Sequence, residues 1–529
     1  MREVRTTSAN STWAGAIGSF VDRCVYALSP ERGARRIALR KRLDVALSSY
    51  EGASSDSTRG SAWMGSRLSP VSEQEADLGT LRQRSREMYR NDSFGGAVDN
   101  RTNHVVGTGF TPQARISEAV VGTEAAKTFN AELEEIYKRW SARVDLSGQF
   151  SLWQQTRLID RHWAFDGEGI AILSDDPINE SPIPLIVEVI DPERLETPPS
   201  MIGNARVRLG IERDNSGRIV AYHIRKTHPF DTKEISQDYD RVPASRVLHV
   251  FERWFAGQLR GLPWLTRALN RVKDAKDLDE AEIIACQVQA CYAAFVKTPL
   301  NAQTAANAAA SATSNNQRFQ DIRPGAVQYM NPEEEMVFSN PSRPGGTYMP
   351  FQEFNYRRIA AAINMPFELF VKNWSGPSFA GGRLVLNEWR MDVKSRQKLI
   401  IESLLVPVWH RMVDEAVMLG QCSIEPRFYF ARPWVYQSHV WTPPAWSYAI
   451  TPGEEVKAGI EAVRHNQKTL AEVVAENGGD LEDVLLQRKR EMELIRKYGI
   501  DLPDSSTSSV TESTTVQDTT QTMEQANGS

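Results

Sequence analysis

Between Pro263 and Pro299 the chain runs without a proline. Leu265, Ala268, Leu269, Val272 and Ala275 recur at three- and four-residue steps, and from Ala281 to Val296 the sequence is almost uniformly apolar and alanine-rich. This pattern predicts one helix from Trp264 to about Lys297, ~50 Å long at 1.5 Å per residue. That is about three times the usual globular length. A helix apolar on most sides cannot bury itself. It needs neighbours, or copies of itself.

The helix is entered through "GQLRGLPWL", Gly257 to Leu265. Glycines and a basic residue just ahead of a helix can cradle a phosphate. Here no GK[ST] follows, and only Arg260 lies among the basic types between the two glycines. A turn that sets the entry angle accounts for Gly257, Gly261 and Pro263, since proline favours the first helical turn. Beyond the helix come a low-complexity segment, Asn301–Gln317, and a stretch punctuated by proline and glycine, Arg323–Gly346. A second helix is expected from near Pro350, stopping before Pro366. "NWSGPSFAGGR", Asn373–Arg383, reads as a loop, followed by a long amphipathic helix through Met391, Leu404, Met412 and Val417.

Upstream, residues 1–42 are arginine-rich; Arg35, Arg36 and Arg40 belong to an arm that either touches nucleic acid or is simply solvated. Residues 51–70 read as a flexible loop and Glu73–Arg90 as a surface helix. Helical stretches at Ala125–Trp140 and Phe150–Ala164 precede five strand-like runs: Gly167–Ser174, Pro184–Ile190, Val207–Arg213, Arg218–Ile224 and Arg246–Glu252. Asp214–Gly217 would join two of these as a tight hairpin. Residues 90–256 therefore read as an α+β domain. Aromatic strands are expected around Trp434–Trp446, then a helical region, Thr451–Tyr498. Residues 504–529 hold 13 Ser or Thr and no basic residue, a composition that predicts disorder.

Few residues point to chemistry. The net charge of −5 argues against gripping nucleic acid by bulk electrostatics, though not against surrounding it. Cys24, Cys286, Cys291 and Cys422 have no metal-ligand spacing and read as reduced packing cysteines. No run reaches the ~18 apolar residues of a membrane span and no secretory signal is evident, so an intracellular chain with no membrane partner is expected. "DGEG" places Asp166 and Glu168 where a Mg²⁺ is conceivable, although a helix-to-strand turn needs the same glycines. His223 and His228 would lie on opposite faces of a continuing strand, which disfavours a shared metal. Glu333, Glu334 and Glu335 read as a solvated or inter-subunit acidic patch. The run Ala431–Trp446 fits core or subunit interface better than a stacking surface for single strands. No catalytic arrangement emerges, and neither cofactor nor metal is expected.

Taken in order, several segments resemble the lambda family of bacteriophage portal proteins, from about Asn91 to Pro503. The carriers are "NRTNHVVGTGFTPQA" (Asn100–Ala114), "IDPERLETP" (Ile190–Pro198), "GIERDNSGRIVAYHI" (Gly210–Ile224), "HVFERWFAGQLRGLPWL" (His249–Leu265), "EIIACQVQACYAAFVK" (Glu282–Lys297), "RRIAAAINMPFELF" (Arg357–Phe370) and "LLVPVWHRMVDEAVMLG" (Leu404–Gly420). "EVVAENGGDLEDVLLQRKRE" (Glu472–Glu491) resembles the family's closing helices. One departure is Thr451-Pro452 where Asp-Pro is expected; Thr also caps helices.

The resemblance implies an α+β subunit with the following parts: a basic arm and helices (1–90), an α+β wing (91–262), a first stem helix (263–298), a small β-containing clip (299–348), a second stem helix (349–366), a tunnel loop (367–384), further wing helix and strands (385–450), a helical crown (451–503) and a tail (504–529). It implies a ring, twelve subunits in the virion, around a channel for double-stranded DNA. Lys372, Asn373, Ser375 and Arg383 would line the channel. Arg318, Arg323, Glu333, Glu334 and Glu335 would meet the terminase large subunit in the clip, and Gly257, Gly261 and Pro263 would form the wing-to-stem hinge. The implied partners also include major capsid protein, scaffold and a head-completion connector protein. The chain would assemble in the host cytoplasm and end in the virion at the capsid vertex. Two competing readings are a metal-dependent nuclease using Asp166 and Glu168, and a soluble DNA-binding protein using the basic arm.

Overall fold

The computed structural model describes residues 68–175, 181–234, 236–291, 295–297, 335–337, 346–376, 378–444 and 452–499. The basic arm, most of the segment between the two expected stem helices, and the Ser/Thr-rich tail lie outside them. The chain divides into a unit ending at Glu73 and a unit from Gln74 onward, and the architecture below is that of the second.

Helix α1 (Pro70–Asn91) is followed by α2 (Gly95–Val105), strand β1 (Thr111–Ala114), α3 (Thr123–Trp140) and α4 (Leu152–Phe165). A capping box starts α4: the Ser151 hydroxyl accepts from the Gln154 backbone while the Gln154 side chain accepts from the Ser151 backbone, satisfying two N-terminal donors. The apolar face of α4, with Ile159, Trp163 and Ala164, is buried. It packs against a three-stranded antiparallel sheet in the order β3 (Leu185–Ile190), β2 (Gly169–Asp175), β8 (Val247–Val250). The contact is close because Gly169 lacks a side chain: a Cβ there would lie 2.5 Å from Ile159 Cγ2.

A second antiparallel sheet runs β4 (Val207–Arg208), β5 (Ile211–Arg213), β6 (Ile219–Arg225), β7 (Tyr239–Pro243). The expected strand Val207–Arg213 is broken in two, because Leu209 and Gly210 both take positive φ and turn the chain. Between β5 and β6 the hairpin at Asp214–Gly217 forms, with Asp214 Oδ1 accepting from the Ser216 and Arg218 backbones.

The expected 34-residue helix is shorter. It opens with a 3₁₀ turn, Trp264–Arg267, continues as α5 (Leu269–Cys291) and gives way to β9 (Phe295–Lys297). Strand β9 pairs antiparallel with β10 (Glu335–Val337), Lys297 opposite Glu335. The run Ala294–Lys297 holds two bulky residues, Phe295 and Val296, whose β preference ends the alanine-rich pattern. Helix α6 (Tyr348–Ala362) returns along α5, and the pair is tied at Asp279, which accepts hydrogen bonds from the Tyr348 hydroxyl, Gln352 and the Tyr356 hydroxyl. A short α7 (Phe367–Val371) leads to a nearly continuous rod of α8 (Phe379–Ile400), a widened π turn (Ile401–Leu405) and α9 (Val406–Met418). Pro407 explains the widening: it has no N–H to give the carbonyl four residues back, and its ring would collide with that carbonyl in a regular α-helix.

After α10 (Pro426–Ala431), strand β11 (His439–Thr442) pairs with β1 over 300 residues away in sequence. Among the described residues of the expected aromatic strands, these four are extended; Pro433–Tyr436 is a helical turn. Trp441 is buried in an aromatic cluster with Tyr137, Trp409 and His439. Helices α11 (Pro452–Arg464), α12 (Leu470–Glu476) and α13 (Leu481–Tyr498) close the described chain. Among the described residues no helix is long and apolar enough to cross a membrane.

Replacing Gly169 by Ala should destabilise the protein by about 1–3 kcal/mol through overpacking against Ile159. Gly79→Ala, in the exposed interior of α1 with nothing within 4 Å of the new methyl, should instead stabilise by about 0.5–1 kcal/mol. Urea denaturation of both variants checks the pair; equal shifts would contradict the close α4–β2 approach.

Candidate functional site

The densest concentration of buried charge surrounds the turn that feeds α5. Two glycines cross there. Gly167 adopts φ +91°, and a Cβ on it would overlap the backbone of Leu262 and Pro263; a Cβ on Gly261 would overlap the Gly167 carbonyl oxygen. Only two residues without side chains permit this backbone contact. Gly257 has a different reason: φ +81° with open space around it, a left-handed turn before the loop.

The crossing brings Glu168 against the loop. Its Oε2 accepts from the Gly261 backbone N–H at 2.8 Å and from His249 Nε2 at 2.9 Å. Its Oε1 accepts from Arg260 Nε at 2.7 Å and Arg82 Nη2 at 2.6 Å. Arg260 in turn donates to the carbonyls of Leu195, Leu209 and Pro192, each at 2.8 Å. Gln74 and Gln258 donate to the Arg260 carbonyl, and Gln258 Oε1 accepts from the Trp254 and Phe255 backbones. The loop is thus an anion cradle after all. Its anion is the protein's own carboxylate.

Electrostatics follow from this geometry. Burial alone would raise the Glu168 carboxyl; the Arg260 and Arg82 guanidiniums outweigh it and hold it well below the usual carboxylate range. Burial also pushes His249 down, against the pull of Glu168. The imidazole is then neutral at pH 7 and donates its Nε2 proton to the carboxylate.

Asp166 belongs to a neighbouring cluster. Its two oxygens accept from Arg86 Nε at 2.5 Å and Nη2 at 2.9 Å, and Oδ2 lies 2.7 Å from His162 Nδ1. The idea that Asp166 and Glu168 share a Mg²⁺ is therefore corrected: both are fully buried, they face different partners, and cationic groups already take the oxygens a metal would need. His223 and His228 also part company. His223 is buried against Glu212 at 3.1 Å, whereas His228 sits by Glu193 at 3.2 Å. Asp191, Glu193 and His228 have ligand spacing, but Arg86 bridges their two carboxylates and supplies the counter-charge.

Pro263 precedes Trp264, whose indole N–H donates to the Ile363 carbonyl at 2.7 Å and so fastens the start of α5 to the end of α6. Arg101, fully buried and paired with Asp160, stacks between Trp163 and Trp264 at 4.7 and 5.3 Å from the ring centres. Burial lowers the Arg101 guanidinium to about 10.

The other expected site residues are scattered. Lys372 is exposed, with φ +55°, and ends α7. Asn373 Oδ1 accepts from the Ser375 backbone and hydroxyl, closing a small exposed turn. Arg383 is not in the loop but in the second turn of α8, because Ser378 caps that helix five residues earlier. Arg318, Arg323, Glu333 and Glu334 lie outside the described residues; Glu335 begins β10. Sequence reading missed the roles of Arg82, Arg86, Arg101 and His249. The one available signal was Arg82 and Arg86 four apart on α1, one face of a helix carrying two cations.

Glu168→Gln should cost about 3–5 kcal/mol at pH 7, because it leaves two buried guanidiniums without their carboxylate. The folded pKa of Glu168 lies below its ordinary value of 4.5, so the stabilisation it supplies is complete above that pH and is lost as pH falls through the depressed folded value. Denaturation curves of wild type and variant should thus differ by a constant amount above about pH 5 and converge in acid. A gap that widens on acidification would contradict the assignment.

Residues 56–397 match the phage portal protein family, lambda family. The chain is 24% identical over 444 residues to the probable portal protein of Halomonas phage phiHAP-1, covering 81% of this chain and 82% of that protein. It is 21% identical over 454 residues to portal protein B of Escherichia phage lambda, covering 79% and 84%. Among solved structures it is similar to an HK97-family phage portal protein from Corynebacterium diphtheriae, at 12% identity and TM-score 0.28, covering 58% and 85%. With a match that spans the buried clamp, the turn into α5 and most of α8, this chain belongs to the lambda family of phage portal proteins: an α+β, structural rather than enzymatic component of the phage particle that acts at the portal vertex as part of a ring.

Proposed function

We propose that α5 and α6 are the two stem helices of this ring and that the Glu168 clamp fixes the angle at which they leave the wing, residues 91–262. The observation that carries this is the surface of the pair. Ile283 and Ile284 of α5 and Met349, Phe351 and Phe354 of α6 are all more than half exposed in the single chain. A hairpin with that much apolar surface is covered laterally in a closed heterologous ring, where each copy offers one face to the next. The two strands β9 and β10 tie the far ends of the segment between the helices, which suits a compact clip over 299–348. The turn at Lys372–Ser375 belongs to the tunnel loop, 367–384, with Lys372, Asn373 and Ser375 facing the channel, and α11 to α13 form the crown.

In this reading the ring has twelve subunits and conducts double-stranded DNA inward during packaging and outward during ejection. The clip, with Arg318, Arg323 and Glu333–Glu335, docks the terminase large subunit and later the head-completion connector. Major capsid protein and scaffold receive the ring during assembly in the host cytoplasm. A net charge of −5 suits a channel that must let phosphates slide, since each tight phosphate contact adds affinity that would stall the duplex.

Negative-stain microscopy of the purified full chain, with mass determination, tests the assembly. Twelve copies of the 59.4 kDa chain give particles of about 0.7 MDa with a central hole wider than duplex DNA. A monomer that persists beside scaffold and capsid protein would overturn the reading. Reversing the charges of Glu333–Glu335 should weaken terminase docking about tenfold or more while rings still form; equal loss of both would count against the clip assignment.

A further inference from the structure

Beside the tunnel loop lies a groove of about 600 Å³ between the end of α6, the start of α7 and one side of α8. Glu368, Val385, Glu388, Trp389, Met391 and Asp392 form much of its wall. Asp392 is occupied by Arg396 and Asn364. Glu368 and Glu388 have no ion-pair partner among the described residues. Trp389, only 1% exposed, backs the groove. Met391 stands 75% exposed at the edge.

The same short region carries groups of complementary kind that its own groove does not take up. Arg383, exposed on α8, pairs with no carboxylate among the described residues, and Trp374 projects from the loop with 46% of its surface exposed. We propose that the groove of one subunit receives the Trp374–Arg383 edge of the next copy of this chain. Arg383 meets Glu388 and Glu368, and the Trp374 ring covers the apolar wall around Val385 and Met391. This rests on the ring reading above and adds to it a specific consequence. The tunnel loops are held to one another laterally, so Arg383 is neutralised by protein carboxylates and not left to grip passing phosphates.

Two charge reversals test this in the full-length chain. With Glu388→Lys alone, a lysine faces Arg383 at each interface and only Glu368 is left to pair with it; with Arg383→Glu alone, a glutamate faces Glu388 and Glu368. Each variant should need about tenfold more protein than wild type to form rings, read by single-particle mass measurement over a dilution series. An equimolar mixture of the two should assemble close to the wild-type concentration, because alternating subunits make every interface complementary again. Both positions are solvent-exposed in the single chain, and matched thermal melts of the unassembled variants establish that folding is intact. Single variants that assemble like wild type, or a mixture no better than either alone, would overturn the lateral contact. A wild-type chain that forms no ring even with scaffold and capsid protein would overturn the ring reading itself, and this proposal with it.

Discussion

A single carboxylate organises the body of this subunit. Glu168 joins α1 through Arg82, β8 through His249, and the loop before α5 through Arg260 and the Gly261 N–H, segments up to 93 residues from it in sequence. The Gly261 N–H reaches the carboxylate where Gly167 and Gly261 approach backbone to backbone, a contact that a Cβ on either residue would block. Sterics come first here: the absence of two methyl groups lets the chains approach, and the approach puts an N–H within reach of the carboxylate. The charges then make that one approach distance the favoured one.

Buried ion pairs are poor sources of net stability, because desolvating each charge costs about as much as the pair returns. Their value lies in direction. A hydrophobic isostere would hold the α1, β2 and α5 entry segments together without fixing the angle between them. The carboxylate does fix it, since four donors converge on two oxygens and Arg260 also spans three backbone carbonyls. Downstream, Trp264 passes that orientation on to α6 through the Ile363 carbonyl, and the stacked Arg101 and Arg396 guanidiniums hold the indole in place. An error of a few degrees at this point would be multiplied along α5 and α6. That gives a physical reason for placing so much buried charge at the helix entry.

What was legible in the sequence was whatever depends on local pattern. The strands on either side of Asp214–Gly217, the length of α4, and the turn at Gly257–Pro263 all follow from periodicity and turn chemistry. Reading failed where a long-range partner decides. Leu209 and Gly210 break a strand-like run because the chain must turn toward Leu195 and Glu196, which a Cβ on Gly210 would strike. "DGEG" looked like ligand chemistry because two carboxylates beside glycines suit a cation; the cations are Arg82, Arg86 and Arg260, brought from other elements. The phosphate-cradle pattern of "GQLRG" was chemically sound, and only the identity of its anion lay beyond the local sequence. Apolar periodicity likewise overextended the helix to Lys297, since it cannot see that Phe295–Lys297 has a strand to pair with 38 residues on.

The same limit explains why α5, α6 and α8 make little sense as parts of a single chain. Their exposed residues include apolar side chains such as Ile284 and Met391, and charges without ion-pair partners among the described residues such as Glu388 and Arg383. A soluble monomer has reason to bury the first and no reason to leave the second opposed in sign on either side of one helix. A heterologous interface needs both, because apolar area supplies the attraction and opposed charges select the one rotation that closes a ring over those that would build an open helix. The buried clamp and the exposed faces of α5, α6 and α8 are then two parts of one requirement. Closure tolerates little variation in subunit shape, so the chain fixes its internal angle with a desolvated carboxylate before presenting its faces to the next copy.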